Sequence, residues 1–160
     1  LLTPGNFWEE GGYKDRGEKQ PYYTGEIPDD YILSKNDLLV AMTEQAPGLL
    51  GSAIIISEDN RFLHNQRLGL VTYDEDKLDL YFLYFLFNSP RIRDLIQIRS
   101  TGTKVKHTSP TKMEEIEVFL PPIELQKEFS KYCRLENNNS DYDIVRVEEL
   151  VISITQEMIA

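Results

Sequence analysis

Apolar residues along this chain gather into short blocks separated by turn-forming polar stretches, and each block predicts an element. Residues 38–42 (Leu-Leu-Val-Ala-Met) follow the turn Ser34-Lys-Asn-Asp37 and read as a buried strand. Residues 52–57, with Ala-Ile-Ile-Ile at their centre, predict a second strand and 68–72 a third, with Glu58-Asp-Asn60 as turn chemistry between them. Residues 78–87 are apolar almost all round, which predicts a buried helix rather than a surface one. Asn88-Ser89-Pro90 ends that helix and starts another. Ser89 suits the N-cap, and Pro90 suits the first helical position, where a missing N–H costs nothing. Ile92, Leu95, Ile96 and Ile98 are the predicted inner face of this helix, and Thr101-Gly-Thr103 is its break.

Further on, Ser109-Pro-Thr-Lys-Met predicts a short helix and residues 116–120 a strand. Pro121-Pro122 then turns the chain into another helix, with Ile123, Phe129 and Cys133 as a partial apolar stripe. Residues 1–30 are punctuated by glycine and proline, yet Phe7, Trp8, Tyr13, Tyr22 and Tyr23 predict that this loop-rich stretch packs. Asn137-Asn-Asn-Ser-Asp141 interrupts the C-terminal pattern and places a loop near 136–143. Beyond it Val147, Val151, Ile154 and Met158 fall at the spacing of an a/d seam, a short coiled coil used for assembly. Ile144-Val-Arg-Val147 and Val151-Ile152 leave a strand as the competing reading there. The predicted fold class is α+β (α/β): a β-rich domain with small helices over 1–120, then a helical spacer or dimerisation arm over 121–160.

At 160 residues and 41% hydrophobic, the chain can bury the core of one domain with an appendage. No apolar run approaches the roughly 18 residues of a membrane span, so no membrane partner is expected. Leu1 is neither an initiator Met nor the start of a signal pattern, and reads as a trimmed edge. The single cysteine excludes an internal disulfide and fits a reducing cytoplasm. Cys133, His64 and His107 stand apart without zinc spacing, so no metal is expected. The net charge of −10 argues against nucleic acid until its distribution is read. Residues 91–112 hold Arg91, Arg93, Arg99, Lys104, Lys106 and Lys112 against Asp94 alone. An acidic protein can bind DNA through one basic face, because the local field acts within about 8–10 Å. A solvated helix face is the plainer reading of the same charges.

Several blocks, in order, resemble the DNA-specificity subunits of type I restriction–modification systems. Leu2-Thr-Pro-Gly-Asn-Phe7 is similar to the family's early loop, and Tyr22-Tyr-Thr-Gly25 leads into Lys35-Asn-Asp-Leu-Leu-Val-Ala-Met42, similar to its turn and strand. Leu50-Gly51 and Asn65-Gln66 follow, then Ser100-Thr-Gly-Thr103, and Val118-Phe-Leu-Pro-Pro-Ile-Glu-Leu-Gln126 resembles the closing signature. The resemblance covers most of residues 2–130 and implies a non-catalytic target recognition domain that reads one half of a split sequence in double-stranded DNA. It also implies docking to methyltransferase subunits, which would hold S-adenosylmethionine, with no cofactor in this chain. A restriction subunit is a further implied partner. The family usually carries two recognition domains joined by long helices, so a second domain or a second copy of this chain is expected. A fused restriction–methylation enzyme and a protein-interaction module without DNA are the alternatives.

No catalytic set is visible. Adenine methyl transfer needs an Asn/Asp-Pro-Pro-aromatic loop, and Leu120-Pro-Pro-Ile123 lacks both the polar group and the aromatic. Glu75-Asp76-Lys77 matches only half of a metal-dependent nuclease pattern and reads more simply as an acidic turn. For DNA, Arg99, Thr101, Thr103, Lys104, Lys106, His107 and Thr108 compose a basic, hydroxyl-rich stretch suited to phosphate contact, with a generic surface loop as the alternative. Thr43, Glu44 and Gln45 open a polar loop after a buried strand; Gln can pair with adenine and Glu can accept from cytosine. A solvent-facing turn is the competing reading for each of them. Asn65-Gln66 reads as structural, its amides bonding nearby backbone.

Overall fold

Asp37 closes the turn from which the main sheet starts: its Oδ2 accepts the Ser34 N–H at 2.8 Å. Asn36 takes the left-handed conformation this turn needs, at φ 73°. The computed structural model describes residues 1–45 and 47–136. The helical-seam residues Val147, Val151, Ile154 and Met158 lie outside them, as does most of the loop expected near 136–143.

The order of regular elements is β1 (Leu38–Ala41), β2 (Thr43–Glu44), β3 (Ala53–Ile55), β4 (Leu68–Val71), α1 (Leu80–Asn88), α2 (Pro90–Arg99), β5 (Lys106–His107), α3 (Pro110–Glu114) and α4 (Ile123–Glu136). Two compact units are formed, one from Leu1–Thr72 with Leu86–Glu117, the other from Tyr73–Phe85 with the described residues from Val118 on.

In the first unit β1 is the centre of an antiparallel sheet of order β3-β1-β4. Leu39 pairs with Ile54 on one side and Leu70 on the other, and Ala41 with Leu68. All four β1 residues are buried, which is why this strand reads as an unbroken apolar run. One face of the sheet joins Leu39, Ala41, Ile54 and Leu68 to Leu2, Phe7, Leu33 and Ile56. A second apolar cluster gathers Leu50 with Ile92 and Ile96 of α2, packed by Leu95, Met113 and Ile116. The α2 start is as the sequence predicts, with the Ser89 hydroxyl facing the Ile92 N–H and Pro90 in the first turn.

Two expectations are corrected here, and a third, that residues 1–30 pack through their aromatics, holds through Phe7 and Tyr13 but not through the others. Ile98 is 78% exposed rather than inward. At about 100° per residue it sits two positions, and hence more than half a turn, away from Ile96. Residues 116–120 pair with no strand among the described residues. Pro121 and Pro122 carry no N–H with which a ladder could continue, and Val118, Phe119 and Leu120 stay partly in solvent. Of the early aromatics only Phe7 is buried; Tyr22 is 82% exposed, and Trp8 carries the Lys14 ammonium 4.4 Å from its ring centroid.

In the second unit, Asp79 precedes α1 and its Oδ1 accepts the N–H groups of Tyr81 and Phe82, both at 3.0 Å. The same oxygen accepts from the Ser130 hydroxyl on α4. Phe129 meets Phe82 and Phe85 edge-on, at 5.9 and 5.5 Å between centroids. Lys77 pairs with Asp74 at 2.8 Å, an exposed ion pair in an acidic turn. That pair and the neighbouring amide hold the Asp74 carboxyl below its ordinary range.

Candidate nucleic-acid interface

Two short strands 60-odd residues apart in sequence assemble most of the candidate residues. β2 and β5 pair antiparallel, Thr43 opposite His107 and Glu44 opposite Lys106. Thr101 adds a bridge on the far side of His107, its N–H donating to the His107 carbonyl at 2.9 Å and its carbonyl accepting at 2.8 Å. The Thr108 N–H donates to the Met42 carbonyl at 2.9 Å, tying this small sheet to the end of β1. Directly paired residues share a face of a sheet. One face therefore carries Thr43 and exposed His107, and the opposite one carries Glu44 and Lys106.

The turn between Thr101 and β5 depends on Gly102, whose φ is 105°. A Cβ there would lie 2.0 Å from the Val105 carbonyl oxygen, so only glycine fits. At its tip Thr103 and Lys104 are exposed, as are Arg99 at the end of α2 and Gln45 after β2. Neither Arg99 nor Lys104 has an acidic partner among the described residues. Free cations beside exposed hydroxyl, imidazole and amide groups can meet phosphate and base edges respectively.

Glu44 and Thr108 are placed differently from the expectation that they reach DNA. Glu44 is 3% exposed. Its Oε2 accepts the N–H groups of Gly48, Leu49 and Leu50 at 3.0, 3.0 and 2.8 Å. Its Oε1 accepts from Gln97 Nε2 at 2.6 Å. The Thr108 hydroxyl is buried and has no hydrogen-bond partner among the described residues. Lys106 is half-buried, its Nζ donating to Gln97 Oε1 at 3.0 Å. Arg93, within the basic window, is also turned inward: Nε donates to the Leu50 carbonyl at 2.9 Å, one terminal nitrogen to the Glu9 carbonyl at 2.7 Å, and the other to the Gly48 carbonyl. Burial pushes its pKa down. Gln97 goes unmarked in the sequence reading, and Arg93 enters it only as one cation of the basic window. Their signal is a polar i,i+4 pair lying beside the Ile92/Ile96 stripe on α2.

Residues 6–150 match the family described as the type I restriction modification DNA specificity domain. The chain belongs to that family. The specificity domain is 31% identical over 112 residues to the "Type I restriction enzyme EcoBI specificity subunit" of Escherichia coli, a match covering 70% of this chain and 22% of that relative. Its fold is similar to the crystal structure of the type I restriction–modification system S subunit from M. genitalium. The TM-score is 0.53 at 19% identity, over 86% of this chain and 35% of that one. The chain thus spans about a fifth to a third of the relatives it matches.

Blocks that carried the resemblance have structural work in the specificity domain. Asn6 is fully buried; its Oδ1 accepts from the Thr3 N–H and its Nδ2 donates to the Lys14 carbonyl and to Gln20 Oε1. Gln126, at the end of the closing signature, donates from Nε2 to the Lys77 and Pro121 carbonyls at 3.0 and 2.8 Å. Its Oε1 accepts the Asp79 N–H at 3.0 Å. Asn65 Oδ1 accepts the Arg67 N–H, the backbone role expected of it. No described helix is long and apolar enough to cross a membrane.

Proposed function

We propose that this specificity domain binds double-stranded DNA and reads one half of a bipartite target in a restriction–modification system. The supporting observation is the β2–β5 edge, where partly exposed Thr43 pairs with exposed His107, flanked in the chain by exposed Gln45, Arg99 and Lys104, the two cations without an acidic partner among the described residues. Arg99, Lys104 and the hydroxyls of Thr101 and Thr103 hold phosphates; Thr43, Gln45 and His107 face the bases. The arm over residues 121–160, with the seam Val147, Val151, Ile154 and Met158, spaces this domain from a second one or from a second copy. The same arm docks methyltransferase subunits, which bind S-adenosylmethionine and supply the chemistry, with a restriction subunit joining that assembly in the cytoplasm.

The test is fluorescence anisotropy of a labelled duplex titrated at several salt concentrations. Binding should weaken linearly in log K against log salt, and Lys104→Ala should lower the slope by about one counterion for all sequences alike. An unchanged slope and affinity in Lys104→Ala and Arg99→Ala would remove this edge from the interface. Absence of duplex binding at low salt would favour a protein-interaction module instead.

A further inference from the structure

A run of hydrogen bonds with a fixed direction crosses the candidate interface. It begins at Lys106 Nζ, passes through the Gln97 amide to the Glu44 carboxylate, and ends on the N–H groups of Gly48, Leu49 and Leu50. Both ends only donate: an ammonium has no lone pair to offer, and neither has a peptide N–H. Gln97 therefore has one usable orientation, oxygen toward Lys106 and nitrogen toward Glu44. Arg93, one helical turn before Gln97, takes the carbonyls of Gly48 and Leu50. Peptide groups on both sides of residues 48–50 are thus held by charged side chains, just beyond exposed Gln45. Leu50, fully buried, anchors the end of the turn in the α2 cluster, and the polar contacts fix the orientation of its peptide groups.

We infer that Glu44, Gln97, Lys106 and Arg93 are positioning residues for sequence discrimination: they preset the turn after Gln45 before DNA arrives, and none of the four touches DNA. The inference rests on the DNA-reading proposal above. Its physical content is preorganisation, since a turn already held in its bound shape loses no freedom on binding and cannot relax to accept a wrong base. It divides the basic loop into an anchor and a strut. Lys104 contacts phosphate, whereas Lys106 spends its charge on the relay.

A charge-swapped relay separates positioning from simple contact. In Glu44→Gln, the amide at position 44 must turn its oxygen to the three N–H groups and its nitrogen to Gln97, which then presents nitrogen to Lys106. The direction fails at one junction. In the double variant Glu44→Gln, Gln97→Glu, every donor meets an acceptor again: Lys106 donates to the carboxylate at 97, which accepts from the amide at 44. Amide hydrogen exchange of the free protein at residues 48–50 should quicken by about tenfold in the single variant, a factor equal to one lost net hydrogen bond, and return in the double.

The second readout is the ratio of affinities for the preferred duplex, selected from a randomised pool with the unsubstituted protein, and its single-mismatch versions. That ratio should fall about fivefold or more in Glu44→Gln and in Lys106→Ala and recover in the double variant, with the salt slope unchanged in all three. Arg93→Lys should lower the ratio in the same way, because an ammonium cannot span three carbonyls with the planar fork of a guanidinium. A salt slope reduced by Lys106→Ala as it is by Lys104→Ala would overturn the inference. So would a double variant that discriminates no better than Glu44→Gln, or full discrimination by Glu44→Gln despite faster exchange. If the unsubstituted protein binds no duplex, the DNA reading itself fails and takes this inference with it; that failure is told apart because it shows before any variant is made.

Discussion

Asn88, the last residue of α1, pairs with Ala53 of β3 as a second peptide would: its Oδ1 accepts the Ala53 N–H at 2.9 Å and its Nδ2 donates to the Ala53 carbonyl at 3.3 Å. The side chain thereby extends the outer edge of the main sheet with an amide taken from a helix end. Gly11 passes directly over it at φ 97°, where a Cβ would lie 2.3 Å from Asn88 Nδ2. Asn88→Ala should cost about 1–3 kcal/mol, the penalty for leaving the buried Ala53 N–H unpaired, while the Ala53 carbonyl keeps the Gly12 N–H at 3.0 Å. Urea unfolding midpoints check this; a midpoint equal to that of the unsubstituted protein would mean that solvent or a rearranged Gly11 loop replaces the pair.

Gln126→Glu should destabilise the second unit more than its near-identical volume suggests. The Gln126 side chain is fully buried, and both hydrogens of its amide are used by carbonyls. A carboxylate would set a third acceptor against the Lys77 and Pro121 oxygens, with loss of about 1–3 kcal/mol or more for the charged group. Thermal unfolding followed by far-ultraviolet circular dichroism reads the loss. An unaltered midpoint would show that this amide is replaceable in the closing signature.

Gly102→Ala should disable the basic loop while sparing the main sheet. The added Cβ meets a backbone oxygen at 2.0 Å, and alanine resists a φ of 105°. The Thr101–His107 bridge, five residues from end to end of the turn, must open to relieve that contact. Amide exchange should rise at Thr101 and His107 but not at Leu39 or Val40, and affinity for any duplex should drop. Unperturbed exchange at His107 would contradict the structure of this turn.

Gln45→Ala and His107→Ala should change which duplex is preferred rather than how tightly duplexes in general are held. A lost base contact is worth about 1–3 kcal/mol at one position and leaves non-specific binding nearly intact. Comparison of selected and scrambled duplexes checks this. Equal weakening toward both would move these residues to the backbone-contacting group.

The legible parts of the fold are those set by local chemistry. β1, β3 and β4 follow from unbroken apolar runs, and the Ser89-Pro90 helix start from capping rules. The β2–β5 pair is different in kind. Each strand is two residues long, and pairing joins Thr43 to His107 across most of the first unit, so no periodicity marks it. Glu44 illustrates the same limit for the site. A carboxylate in a polar stretch reads as exposed, and the three N–H groups converging from residues 48–50, with the Gln97 amide, offset the cost of burying it. Ile98 differs for a simpler reason: it is apolar, but two positions past Ile96 the helix turns it away from the buried stripe.

Selection from a pool of duplexes with a randomised central segment, using the full chain immobilised at moderate salt, tests the central claim most directly. The account predicts that a short, defined sequence is enriched over successive rounds and that the enriched duplex outcompetes a scrambled one by at least about tenfold. Retention of the pool without enrichment of any sequence, or no retention at all, would contradict it.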